Sequence, residues 1–130
     1  MEGSLNELAF YRMARAHEML IAAESNLQIQ QYKTSLNRSY YAIFHAMRAA
    51  NILKGFDSSK HSGVIAFFNK EYIKNGTLER NLSMIIKSSS FLREKSDYDD
   101  FFIASKSDAE KQLENAKIFL NSIETLLNPT

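Results

Sequence analysis

Apolar residues recur at threes and fours along most of this chain, and the pattern divides it into five helical segments. The first starts near Ser4, an N-cap residue with Glu7 three positions on, and runs to about Gln30. Its stripe is Ala9, Met13, Ala16, Leu20, Ala23 and Leu27; His17 lies beside it with Phe10 and Ile21 and reads as a partly buried packing histidine. A polar break from Gln28 to Tyr32 leads to a second helix, about Lys33 to Lys54. Gly55 is placed to end that helix in the left-handed conformation, and Asp57 or Ser58 to cap a third, about Ser59 to Lys74. The third stripe is His61, Val64 or Ile65, Phe68 and Tyr72. Asn75-Gly76 stops it, and Thr77 caps a fourth helix, about Leu78 to Glu94, carrying Leu82, Ile85, Ser89 and Leu92. Ser88-Ser89-Ser90 reads as a place of close helix approach. Arg93 to Phe102 shows no helical period and reads as an ordered loop whose aromatic residues must pack somewhere. A fifth helix, about Ser105 to Leu127 with a Ser107/Glu110 capping box, closes the set, and Asn128-Pro129-Thr130 stops it.

The second helix departs from simple amphipathicity. Leu36, Tyr40, Ile43 and Met47 form one apolar stripe. Arg38 and His45 point almost the opposite way, two turns and roughly 10 Å apart along the axis. Their neighbours there are Tyr41, Ala42, Ala49 and Ile52, so the helix is apolar on both sides and must be buried on both. One side belongs to the chain's own bundle; the other is expected to meet a second copy, with the small alanines allowing close approach. The architecture that follows is all-α: an up-and-down four-helix bundle with an additional short helix, one domain over residues 1–130.

Composition adds little to this picture and excludes a good deal. Four glycines and one proline suit an all-α chain. A net charge of +1 argues against bulk electrostatic capture of nucleic acid but leaves room for a local basic site. The absence of cysteine removes disulfides and thiolate metal sites and fits a reducing compartment. Met1-Glu2-Gly3-Ser4 lacks the features of a signal peptide, and no run of about 18 apolar residues suggests a membrane span, so a cytoplasmic protein with no membrane association is expected.

Metal chemistry finds little support in the spacing. None of the three histidines has a Glu three positions before it, as a Glu-x-x-His site in a bundle requires. The aspartates Asp97, Asp99 and Asp100 lack the glycine turn and distal glutamate of an EF-hand and read as solvated charge. No phosphate-cradling glycine pattern occurs, and no metal or cofactor is expected. Arg38 and His45 remain. Histidine moves protons near neutrality, and arginine is a fixed fork of donors matched to phosphate oxygens. Together they suit cleavage of a phosphodiester by the ribose 2′-hydroxyl, a scheme with no step that needs a metal. His61, beside Ser62 and Gly63, reads first as a structural histidine, with a second acid/base group or a surface residue as the other readings.

The ordered set of motifs resembles the HEPN domain family. Arg38-Ser39-Tyr40-Tyr41-Ala42-Ile43-Phe44-His45 is similar to its signature, an arginine, four to six residues, then a histidine. Tyr11-Arg12-Met13-Ala14-Arg15-Ala16 with Ala22-Ala23-Glu24, His61-Ser62-Gly63-Val64 with Phe68, and Arg93 with Asp97-Tyr98 resemble its other helices. The resemblance implies a bundle of four to five helices that is usually a homodimer, with the arginine–histidine helices of two subunits building a shared cleft. It implies a metal-independent endoribonuclease, often a toxin, encoded beside a small nucleotidyltransferase antitoxin. A non-catalytic module that binds a nucleotide or such a partner is the alternative. Carried over by position, Arg38 and His45 are the catalytic candidates, and Ser39, Tyr41, Arg48 and His61 the substrate-binding ones. Ser39 stands where active ribonucleases of the family often carry Asn, Asp or His.

Overall fold

Five helices form, in chain order: α1 (Glu2–Gln28), α2 (Tyr32–Ile52), α3 (His61–Phe68), which continues through a π-helical turn (Asn69–Ile73), α4 (Asn81–Tyr98) and α5 (Lys106–Leu127). The computed structural model describes residues 2–128, so Pro129 and Thr130, expected to stop the last helix, lie outside the described residues. No strand occurs among the described residues. The four long helices make the bundle and α3 is the short addition, as the hydrophobic pattern predicts.

α1 and α2 form a helical hairpin whose contacts run antiparallel. The Ser35 hydroxyl donates to the Ala23 carbonyl at 2.8 Å, Arg38 Nη1 reaches Met19 Sδ at 3.7 Å, and Arg48 and Arg12 share Asp57. Small side chains line this seam. Ala9, Ala16 and Ala23, seven residues apart on α1, are fully buried, as are Ser35, Ser39, Ala42, Ala46 and Ala49 on α2. Such residues let two backbones approach closely and bury their peptide surface without side-chain entropy loss.

α2 packs against every other helix. One core therefore gathers around it, with Tyr40, Ile43 and Met47 from α2, Phe68 and Tyr72 from the third segment, Leu82 and Ile86 from α4, and Phe119, Leu120 and Ile123 from α5. The Tyr72 hydroxyl donates to the Ala50 carbonyl, and burial pushes that phenol up to about 12. This enclosure corrects one expectation. Ala42, Ala49 and Ile52 do not wait for a second copy; the chain itself buries them. A helical wheel reports that a face is buried and is silent on whose atoms cover it.

Helix ends follow backbone geometry more than side-chain caps. Gly55 takes φ +77°, with Gly55 N–H bonding to the Ile52 carbonyl and Phe56 N–H to the Asn51 carbonyl, the paired bonds of a Schellman ending. Gly76 takes φ +81° after the third segment. Asp57 and Ser58 do not cap α3, which starts at His61; Ser58 Oγ instead accepts from Lys60 N–H, two residues along. Thr77 likewise binds Asn75 Oδ1, and α4 starts only at Asn81. The cap of α5 is Ser105, whose hydroxyl accepts from Asp108 N–H at 3.0 Å, replacing the predicted Ser107/Glu110 box. Ser88 accepts from buried Gln112 at 2.8 Å, which ties α4 to α5 at the predicted serine run.

The predicted loop from Arg93 is the larger correction. α4 continues to Tyr98, supported by the i,i+4 ion pairs Arg93–Asp97 at 3.3 Å and Lys95–Asp99 at 3.7 Å. Charge spacing rather than hydrophobic period carries the helix through this stretch. Of the aromatic residues in this stretch, Phe101 is 93% exposed and Tyr98 77% within the chain, whereas Phe102 is half-buried.

α1 ends by the same geometry as α2, but without a glycine. Gln30 takes φ +63°, with Gln31 N–H bonded to the Asn26 carbonyl at 2.8 Å. A side chain in this conformation carries a strain of about 1–2 kcal/mol. Gln30→Gly is expected to stabilise the chain by roughly 0.5–1 kcal/mol after the unfolded-state entropy is counted. The check is thermal unfolding, with a midpoint raised by roughly 2–5 °C; an unchanged or lower midpoint contradicts the strain.

Candidate functional site

From Ser35 to Ile52, every residue of α2 is buried except Asn37, Arg38, Tyr41, His45 and Arg48. Arg38, Tyr41, His45 and Arg48 are spaced by threes and fours, Asn37 stands beside Arg38, and the five form one half-open strip along an otherwise enclosed helix. The strip holds both catalytic candidates. It also holds two of the four substrate-binding candidates, Tyr41 and Arg48.

His45 stands in a basic setting. Burial pushes its pKa below the usual histidine range, and the guanidinium groups of Arg15, Arg48 and Arg12 push the same way. The imidazole is therefore held neutral, with an available lone pair, at neutral pH. The rings of His17 and His61 are held by Glu124 and Tyr40, whereas His45 has no hydrogen-bond partner among the described residues. Arg38 is similarly uncommitted. Its contact with the Met19 thioether is a weak one, and it has no carboxylate partner among the described residues.

Arg48 is placed differently. It and Arg12 both donate to Asp57, each at 2.9 Å, and Arg12 is almost wholly buried. These two arginines hold the Asp57 carboxyl down at about 2. Asp57 thus braces the segment after α2 against α1 and α2 together, and the predicted helix cap is in fact an ion-pair hub. Arg12 and Arg15 were not assigned a role from the sequence. The available signal was Arg12 lying against the buried Ala9, Met13 and Ala16 stripe.

His61 joins the strip from α3. Its ring lies against Phe44 with centroids 4.3 Å apart, and Nδ1 is 2.9 Å from the Tyr40 hydroxyl. The Tyr41 ring sits 5.8 Å from His61 and 6.4 Å from His45, so it is a shared neighbour of the two histidines. Arg93 of α4 covers the other partner, its guanidinium 4.7 Å from the Tyr40 ring centroid. Burial, then Arg93, pushes the His61 pKa down. The packing and the bond to Tyr40 match the structural reading of this histidine.

Two placements differ from expectation. Ser39 is fully buried, and its hydroxyl has no partner among the described residues, so it offers nothing to a ligand arriving from solvent. His17 is not a packing residue: it is half exposed and bonded to Glu124 of α5 at 2.6 Å. Among the described residues no group of three or more acidic or histidine side chains is arranged to hold a metal. No described helix is long and apolar enough to cross a membrane.

The sequence profile of the HEPN domain family matches residues 10–126, a span that contains the whole strip and its surroundings. The chain belongs to the HEPN domain family. A UPF0332 protein of Thermotoga maritima is 32% identical over 117 residues, covering 90% of this chain and 89% of the relative. A Methanocaldococcus jannaschii protein named "Putative toxin MJ0142" is 33% identical, covering 87% of this chain and 77% of its own. The crystal structure of TT1696 from Thermus thermophilus superposes with a TM-score of 0.75 over 89% of this HEPN chain and 95% of its own; at 18% identity it shows the fold alone.

Removing the carboxylate charge in Asp57→Asn strands the buried Arg12 guanidinium. The variant is expected to lose roughly 1–2 kcal/mol near pH 7, discounted because Asp57 itself is half exposed. The folded-state pKa lies below the unfolded one, so the contribution is full above about pH 4 and fades as pH falls towards 2. Urea unfolding of both proteins across that range checks this; a difference that persists unchanged at pH 2 rejects the assignment.

Proposed function

We propose that this HEPN protein is a metal-independent endoribonuclease that works as a homodimer, with the Arg38–His45 strips of two chains facing one cleft. The observation that carries the reading is the strip itself: the solvent-facing edge of a buried helix presents an uncommitted guanidinium and a histidine held neutral. In the proposed step, His45 Nε2 or Nδ1 takes the proton of a ribose 2′-hydroxyl. The oxygen attacks the adjacent phosphorus, the bond to the 5′-oxygen breaks, and a protonated His45 of the partner subunit supplies the proton that oxygen needs. Arg38 balances the charge that grows on the phosphoryl oxygens. The products carry a 2′,3′-cyclic phosphate and a 5′-hydroxyl. The toxin name of a relative supports a toxin role, and a small nucleotidyltransferase is the proposed antitoxin partner in the cytoplasm.

Buried Ser39 favours a second reading. With the side chain that follows Arg38 buried away from the strip, the same surface is suited to hold a nucleotide or a partner without cutting. The two readings separate in one assay. The purified chain, in excess chelator, is expected to cleave RNA with cyclic-phosphate ends, and His45→Ala to lower the rate by about 10²–10⁴. Intact RNA with the wild-type chain, together with nucleotide-dependent thermal stabilisation lost in Arg38→Ala, supports the binding module instead.

The basic setting also gives a pH signature. A lowered His45 pKa puts the acidic limb of the rate profile below the usual histidine range. Arg15→Gln removes one repelling charge and is expected to move that limb to higher pH. A limb that stays in place, or moves down, counts against His45 as the base.

A further inference from the structure

A broad groove that shares no residue with this strip lies between the third segment and the start of α4, with a volume of about 1080 Å³. Each wall is a helix face. Asn69, Lys70, Ile73 and Lys74 come from the π-helical turn and the residue after it, and Arg80, Ser83, Met84 and Lys87 from the start of α4. Lys70, Lys74, Arg80 and Lys87 thus face the groove two to a wall. No carboxylate lines it, and none of the four is in an ion pair among the described residues.

This concentration is local. Four of the 16 Lys and Arg residues stand here, and those elsewhere are outnumbered by 15 Asp and Glu. Four exposed cations around one groove, with no carboxylate among them, set up a local positive potential that favours a bound polyanion. Three of the four are lysines, flexible point charges that bind phosphate oxygens without fixing the orientation of the strand. No aromatic side chain lines the groove, so stacking does not select bases.

We propose that this groove is a binding track for the phosphate backbone of single-stranded RNA, separate from the Arg38–His45 strip. The proposal rests on the reading of the chain as an RNA-acting protein and adds where the strand outside the cutting site is held. The net charge of +1 hides the track, because the acidic surface elsewhere cancels it.

The test uses the full chain carrying His45→Ala, so that RNA is not cut, and a fluorescein-labelled 20-residue oligouridylate followed by anisotropy. Replacing Lys70, Lys74, Arg80 and Lys87 by Gln, all outside the core, is expected to weaken binding at least tenfold. The slope of log affinity against log salt is expected to fall by about 2–3, near 0.7 for each lost phosphate contact. Unchanged affinity and slope in a variant with a parental circular dichroism spectrum overturns the track. So does competition by poly-glutamate as effective as that by unlabelled RNA, which marks a site for acidic protein. Cleavage of a dinucleotide by the otherwise unaltered chain, too short to reach the groove, tests the strip alone. Groove-dependent RNA binding without dinucleotide cleavage sinks the catalytic reading and keeps the track; cleavage without groove dependence does the reverse.

Discussion

The enclosure of α2 is the constraint on which the rest of the structure depends. A helix touched by all the others has few exits for polar groups, because a charged side chain left in such a core costs several kcal/mol unless paired. The alanine and serine seam with α1 closes one side and the aromatic and aliphatic core closes the other. What remains is a single strip, and Arg38, Tyr41, His45 and Arg48 stand on it by helical spacing alone. Chemistry on a rigid, buried helix gains positional precision that loop-borne groups lack.

Electrostatics around the strip is built from α1 as much as from α2. Arg12 reaches Asp57 from within the packed seam, Arg15 lies one turn on, and Arg48 completes the set. Their shared effect is on His45, whose proton they disfavour together with burial. Asp57 matters because it neutralises the buried Arg12 and the half-buried Arg48, while Arg15 pairs with Glu18 and Arg38 keeps no carboxylate partner among the described residues. A chain of almost balanced charge thereby carries a positive local field. The groove between the third segment and α4 repeats this economy with lysines, and no residue of the strip lines it.

Helix α3 and its π-helical turn join these regions. At one end His61 packs on Phe44 and reaches Tyr40, which Arg93 covers; at the other Lys70 and Lys74 line the groove. On α4, Met84, Phe91 and Tyr98 repeat every seven residues and stay exposed, next to open Phe101 and Ile103. They stay open because α4 turns its other face, with Leu82, Ile85 and Ile86, to the core.

By itself the sequence determined the helices, their order and the residues of the strip, since periods of three and four and the glycines at 55 and 76 are local properties of the chain. The motif from Arg38 to His45 was legible for the same reason: two turns of helix bring both residues to one face wherever that helix is placed. Boundaries set by charge pairs, as at Arg93 to Asp99, escaped a reading based on hydrophobic period. Tertiary structure alone decided what covers each face. It buried Ala42, Ala49 and Ser39 within the chain itself, turned Asp57 from a cap into a bridge, moved His17 outward to Glu124, and set Lys70 and Lys74 in one groove with Arg80 and Lys87. Each of these is a contact between residues distant in the chain, and burial by one's own chain or by another leaves the same apolar pattern in the sequence.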